Sequence, residues 1–199
     1  MTACRTRSAL GEALGTLLAV LLLSCGNETT TVIEKLQKPP MTLSSPAFKH
    51  GSALPELYSN PGWRYGRPTS PPLEWANVPD RTRCFALILF STDADAAGEY
   101  SVYWLALNLP SDTRYLAEGA GARGADAGSG LGSYRGIGKA AGRPHRFVFV
   151  LYALDATVDC HYPIRGPAEF EEAAAGHILA KAELACYQPR APLGVPKMM

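Results

Sequence analysis

Residues Phe147–Leu154 read FVFVLYAL, apolar on both phases of a strand, and the run stops at Asp155. A strand of this kind must lie in the middle of a sheet that is covered on each side. Two further strand-length runs, Cys84–Ser91 and Ser101–Leu109, flank a short polar segment that carries Asp93 and Asp95. Leu73 and Trp75, two apart after Pro71-Pro72, point to one face and predict an edge strand with Trp75 plugging the core. Near the C-terminus Ala180, Ala182, Leu184 and Cys186 alternate with Lys181, Glu183 and Tyr187, which predicts a half-buried strand. A short helix is expected from Glu169 to about Gly176, with Phe170 and Ala174 inward. From Met41, MTLSSPAF reads as a short strand ended by Pro46, whereas Pro55, Pro61 and Pro68 oppose regular structure from Lys49 to Ser70. Short strands joined by Pro/Gly loops, with a single short helix, argue a mainly β sandwich of two antiparallel sheets.

Ala117–Gly142 contains nine glycines and reads as a long surface loop. It is not a nucleotide loop: the P-loop pattern around Lys139 needs glycine at Ser133 and a hydroxyl at Ala140. Its amides are candidates to line an anion site.

The N-terminus looks like a targeting segment. Arg5 and Arg7 precede an apolar run, Ala13–Leu23, too short to span a bilayer comfortably, and Leu22-Leu23-Ser24-Cys25 matches a bacterial lipobox. Residues 1–24 are then a lipoprotein signal peptide, Cys25 the lipidated first residue, 25–40 a tether, 41–190 the domain and 191–199 a disordered tail. That places the protein in the bacterial cell envelope, anchored by lipid at the periplasmic face, with Gly26 leaning towards the outer membrane. Without residues 1–24 the chain keeps 17 basic and 17 acidic side chains, so no basic stripe exists to grip nucleic acid. Cys84, Cys160 and Cys186 remain; sequence does not choose a disulfide among them, and no metal-ligand spacing is present.

Chemistry is expected where strand ends carry ionisable groups. Asp93 and Asp95 follow one core strand, and His145 precedes FVFVLYAL. If those strands are antiparallel neighbours, the carboxylates and the imidazole meet at one rim. A cationic His145 with loop amides would suit a phosphate-type anion.

Four pieces in order, SPPLEW at 70–75, Asp-x-Asp at 93–95, YWLALNLP at 103–110 and HRFVFVLYALD at 145–155, resemble the phosphatidylethanolamine-binding protein family, in its bacterial Raf-kinase-inhibitor-like branch. The ending GHILAKAELACYQ at 176–188 also fits. The resemblance implies a two-sheet β sandwich with short helices and a small anion-binding pocket, without catalysis, cofactor or metal. It assigns Asp93, Asp95 and His145 to that pocket. The site departs from the family pattern in one direction. DADAA lacks two prolines, Tyr103 stands for a histidine, Phe147 for a tyrosine, and Gly136–Ala141 lacks the prolines of the equivalent loop. The expected ligand-binding set is therefore Asp93, Asp95, Tyr103, His145 and Phe147, for a small anionic or phospho-group ligand with altered or weakened specificity. The alternative is a protein-interaction or inhibitor module using the same rim against an envelope partner. An enzyme using Asp93, Asp95 and His145 as acid, base or metal ligands lacks any supporting motif.

Overall fold

The structure is a computed structural model that describes residues 38–59, 68–93, 101–121, 132–137, 145–159 and 164–188. The signal peptide, Cys25 and most of the tether lie outside the described residues, as do Asp95, Cys160 and the tail. The fold is carried by the unit that begins at Pro40.

In chain order the strands are β1 (Thr42–Ser44), β2 (Ser52–Ala53), β3 (Leu73–Ala76), β4 (Cys84–Ser91), β5 (Val102–Pro110), β6 (Tyr115–Leu116), β7 (His145–Leu154) and β8 (Ile178–Gln188). A short helix, α1 (Pro167–Ala173), precedes β8. They form a three-stranded sheet, β1-β3-β6, and a five-stranded sheet, β2-β8-β7-β4-β5. All pairings are antiparallel except the two-residue match of β2 with β8.

The doubly apolar strand takes the centre of the larger sheet, between β4 and β8. Its alternate side chains enter two separate cores. Phe147, Phe149 and Leu151 face the small sheet and pack with Leu43, Leu73 and Trp75. Val148, Val150 and Tyr152 face the other way, towards Phe170 and Ala174 of the helical layer. Phe170 is fully buried, its ring centroid 4.8 Å from that of Tyr152. Burying a side chain of this size is worth roughly 1.5–3 kcal/mol. Pro167 occupies the first turn of α1, where its missing N–H costs nothing, and Glu169 reaches back to accept from the Arg165 amide at 2.7 Å.

β3 differs from its expected place. It is the middle strand of the small sheet, not an edge. Pro71 and Pro72 lie just before Leu73, so neither removes a ladder donor. Trp75 is core, as expected, its ring edge-on to Phe85 at 5.5 Å. The glycine-rich stretch is also less superficial than its composition suggests, because Tyr134 and Ile137 are buried in the inner core. Cys84 and Cys186 are free, buried thiols. They oppose Leu154 and Phe147 on β7, seven residues apart, or about 23 Å along the strand. They also face different cores, so they cannot bridge each other. Among the described residues no helix is long and apolar enough to cross a membrane.

Candidate functional site

β4 and β7 are antiparallel neighbours, and Ser91 at the end of one opposes Phe147 near the start of the other. Pairing continues past β4: the Thr92 amide donates to the Arg146 carbonyl at 3.0 Å. The Asp93 amide then donates to Ser91 Oγ at 3.2 Å, which turns the chain and sets its carboxylate over the strand end. Asp93 Oδ2 lies 2.8 Å from His145 Nδ1. Both side chains are about a quarter exposed, so the pair is held by the scaffold yet reachable from solvent. With Nδ1 committed to Asp93, Nε2 is the nitrogen that His145 can offer a ligand.

Tyr103 arrives at this rim through an irregularity. Leu89 opposes Trp104 while Phe90 opposes Val102, so Tyr103 is an extra residue in β5. Val102 and Leu105 pack on the outer core, whereas Tyr103 and Trp104 both pack on the inner one. A bulge of this kind re-aims one side chain without disturbing the rest of the strand. Here it sets the Tyr103 ring edge-on against Phe147, centroids 5.3 Å apart at 87°. The His145 ring lies beyond Phe147, 6.5 Å between centroids. Such aromatic contacts contribute about 0.5–1.5 kcal/mol beyond burial. Asp93, Tyr103, His145 and Phe147 therefore meet at one end of the larger sheet; Asp95 is outside the described residues. His177 and His50 bond away from the rim. His177 Nδ1 lies 3.0 Å from Asp155 Oδ1, and His50 Nδ1 accepts from the Ala185 amide at 3.4 Å.

The rim holds further residues that sequence reasoning passed over. The Arg135 amide donates to the Tyr103 carbonyl at 2.8 Å, and Ile137 bridges Ser59 in parallel. Ser59 Oγ accepts from Gln188 Nε2 at 3.1 Å, and Gln188 directly opposes His145 across β7 and β8. One signal for Gln188 was legible: it continues the buried phase of Ala182, Leu184 and Cys186 but is polar. Nothing local marks Ser59. No group of three or more His, Cys, Asp or Glu with the geometry for a metal ion occurs among the described residues.

The chain was compared with known proteins. The family model described as phosphatidylethanolamine-binding protein matches residues 44–188. A UPF0098 protein of Methanothermobacter thermautotrophicus is 34% identical over 156 residues, covering 72% of this chain and 95% of that protein. The UPF0098 protein YbhB of Escherichia coli is 31% identical over 125 residues, covering 58% of this chain and 78% of that protein. Among solved structures, a phosphatidylethanolamine-binding protein homologue of Chlamydia trachomatis, CT736, superposes with a TM-score of 0.58 at 28% identity, over 76% of this chain and 99% of that one. Escherichia coli YbcL superposes with a TM-score of 0.62 at 23% identity, over 77% and 100%, a likeness of fold.

Proposed function

Because this chain belongs to the phosphatidylethanolamine-binding protein family, we propose that the rim around His145 is the binding site of a non-catalytic envelope protein, tethered through a lipidated Cys25. Its ligand is a small anion or phospho-headgroup. The observation that carries this reading is the 2.8 Å contact between His145 Nδ1 and Asp93 Oδ2. Asp93 faces Nδ1 of the ring and leaves Nε2 for the ligand. Nε2–H then donates to the anion in a charge-assisted hydrogen bond, stronger than its neutral counterpart. Tyr103 adds a hydroxyl at the same edge, and Phe147 supplies the apolar wall on which both rings rest. The replacement of a histidine by Tyr103 removes one positive charge from the site, which supports weaker or altered specificity.

The test is titration of the labelled protein with inorganic phosphate, watched at the His145 ring by NMR. Millimolar phosphate is expected to shift the His145 and Tyr103 resonances in wild type and to leave them unmoved in His145→Gln. A wild-type spectrum that does not respond would remove the reading. Palmitate labelling of cells producing the protein tests the anchor: incorporation should disappear in Cys25→Ala.

One observation favours a second reading, in which the same end of the sheet docks an envelope protein. Gly121 and Gly132 are both held beside Trp104: the indole Nε1 donates to the Gly132 carbonyl at 2.8 Å, and the Tyr134 amide donates to the Gly121 carbonyl at 2.7 Å. Shortening 122–131 should then abolish co-purification of a partner; unchanged co-purification would count against docking there.

A further inference from the structure

Gln188 is 5% exposed, and its carboxamide is only half used. Nε2 donates to Ser59 Oγ at 3.1 Å, but the buried Oε1 finds no hydrogen-bond partner among the described residues. Nearly all buried polar atoms in folded proteins are bonded, so an orphan of this kind asks for an explanation. Its position supplies one. Gln188 directly opposes His145 in the β7–β8 ladder, which puts their Cβ atoms about 5 Å apart on the same face of the sheet. With Nε2 on Ser59 Oγ the unpaired end is the oxygen, an acceptor; only in that orientation does the carboxamide ask for a donor. The register thus sets a buried, unsatisfied polar atom beside the imidazole that the proposed site is built on.

We propose that Gln188 is a specificity-determining residue of this site, and that its carboxamide oxygen selects oxyanions that carry a proton. This rests on the anion-binding reading given above and names the ligand class more narrowly: inorganic phosphate and singly protonated phosphate monoesters, not sulfate. The two side chains divide the work. His145 Nε2–H donates to one ligand oxygen, and Gln188 Oε1 accepts from a P–OH. Sulfate is a tetrahedral oxyanion of nearly the same size as phosphate, but it carries no proton at neutral or mildly acidic pH. It would leave the Gln188 oxygen unpaired and bring a second lone pair against it. A site built to bond a ligand hydroxyl discriminates against the analogue that lacks one, because the protein's own polar group is stranded. A cationic side chain alone would not make this distinction.

The experiment is a parallel titration of the full mature chain with inorganic phosphate and with sulfate at the same mildly acidic pH and ionic strength. It is read at the His145 ring and the Gln188 side-chain amide by NMR. The expected result is phosphate binding at least about tenfold tighter than sulfate in wild type. In Gln188→Met, which keeps the length and removes both polar ends, the two anions should bind within about twofold of each other. Equal binding of phosphate and sulfate by wild type would overturn the proposal, and so would a preference that survives Gln188→Met. If Gln188→Met does not fold, the wild-type ratio decides by itself. Silence towards both anions would overturn the anion site as well as its selectivity, an outcome distinct from equal binding.

Discussion

A Cβ placed on Gly132 would lie 1.9 Å from the Leu105 carbonyl oxygen, and one on Gly121 would lie 2.7 Å from Tyr134 Cβ. Neither neighbour can yield cheaply, since one is backbone of β5 and the other is attached to a buried ring. These two glycines therefore let the chain close around Trp104, whose indole is satisfied by the Gly132 carbonyl. Gly132→Ala is expected to force β5 and its neighbour apart and to cost about 1–3 kcal/mol or more. Urea denaturation would show the lowered midpoint, and the Trp104 indole proton would move upfield as its bond is lost. An unchanged indole signal with unchanged stability would show that the approach is not required. From sequence, Gly121 and Gly132 were two among nine glycines in a stretch read as loop. What distinguishes them is the neighbour each touches, and that neighbour is remote in the chain. Asn108 is a comparable case. It sits at φ +54° in a second irregularity of β5, where its carboxamide exchanges two hydrogen bonds with the backbone of Val158.

At the scale of elements, β7 was the most legible, because its composition leaves few alternatives. A strand apolar on both phases must be covered twice, and the structure places it between β4 and β8 with one core on each side. Native-state hydrogen exchange should reflect this placement. Amides of β7 and β4, each with neighbours on both edges, should exchange slowest, and those of the two-residue strands β2 and β6 fastest. Exchange in β7 as rapid as in β6 would contradict the observed strand order. β3 was misplaced as an edge because two prolines without amide donors stand directly before it; they lie outside the ladder and only introduce it. β2 went unseen. Two residues pairing in parallel with β8 carry no periodicity, and their pairing is earned by a distant strand and not by their own sequence.

For the molecule as a whole, buried ionisable groups predict sensitivity to alkali. Burial pushes the Cys186 thiol from its ordinary 9.0 up to about 12, and the Tyr134 hydroxyl beside it is also driven up by burial. The fold holds both groups in their neutral forms, whereas the unfolded chain releases these protons near their ordinary values. Stability from this source is therefore complete below about pH 9 and is lost progressively as pH rises towards 12. Thermal midpoints measured across this range should fall, and Cys186→Ala should flatten the part due to the thiol. A midpoint that holds steady, with a buried thiol still present, would contradict the burial of Cys186 in the inner core.

The strands, the helix beside Phe170, the two-core character of β7 and the family likeness were all readable from the chain, because each depends on the order of neighbouring side chains. The meeting of Asp93 with His145 was expected, but only as the consequence of an assumed strand pairing. Tyr103 was expected at the rim from the resemblance, but the bulge that aims it there, and the position of Gln188 beside His145, were decided by tertiary structure alone. Both follow from register: one extra residue in β5, and the residue of β8 that happens to oppose His145. Register is set by the summed burial of whole strands far apart in sequence, and no local preference of Tyr103 or Gln188 carries that information.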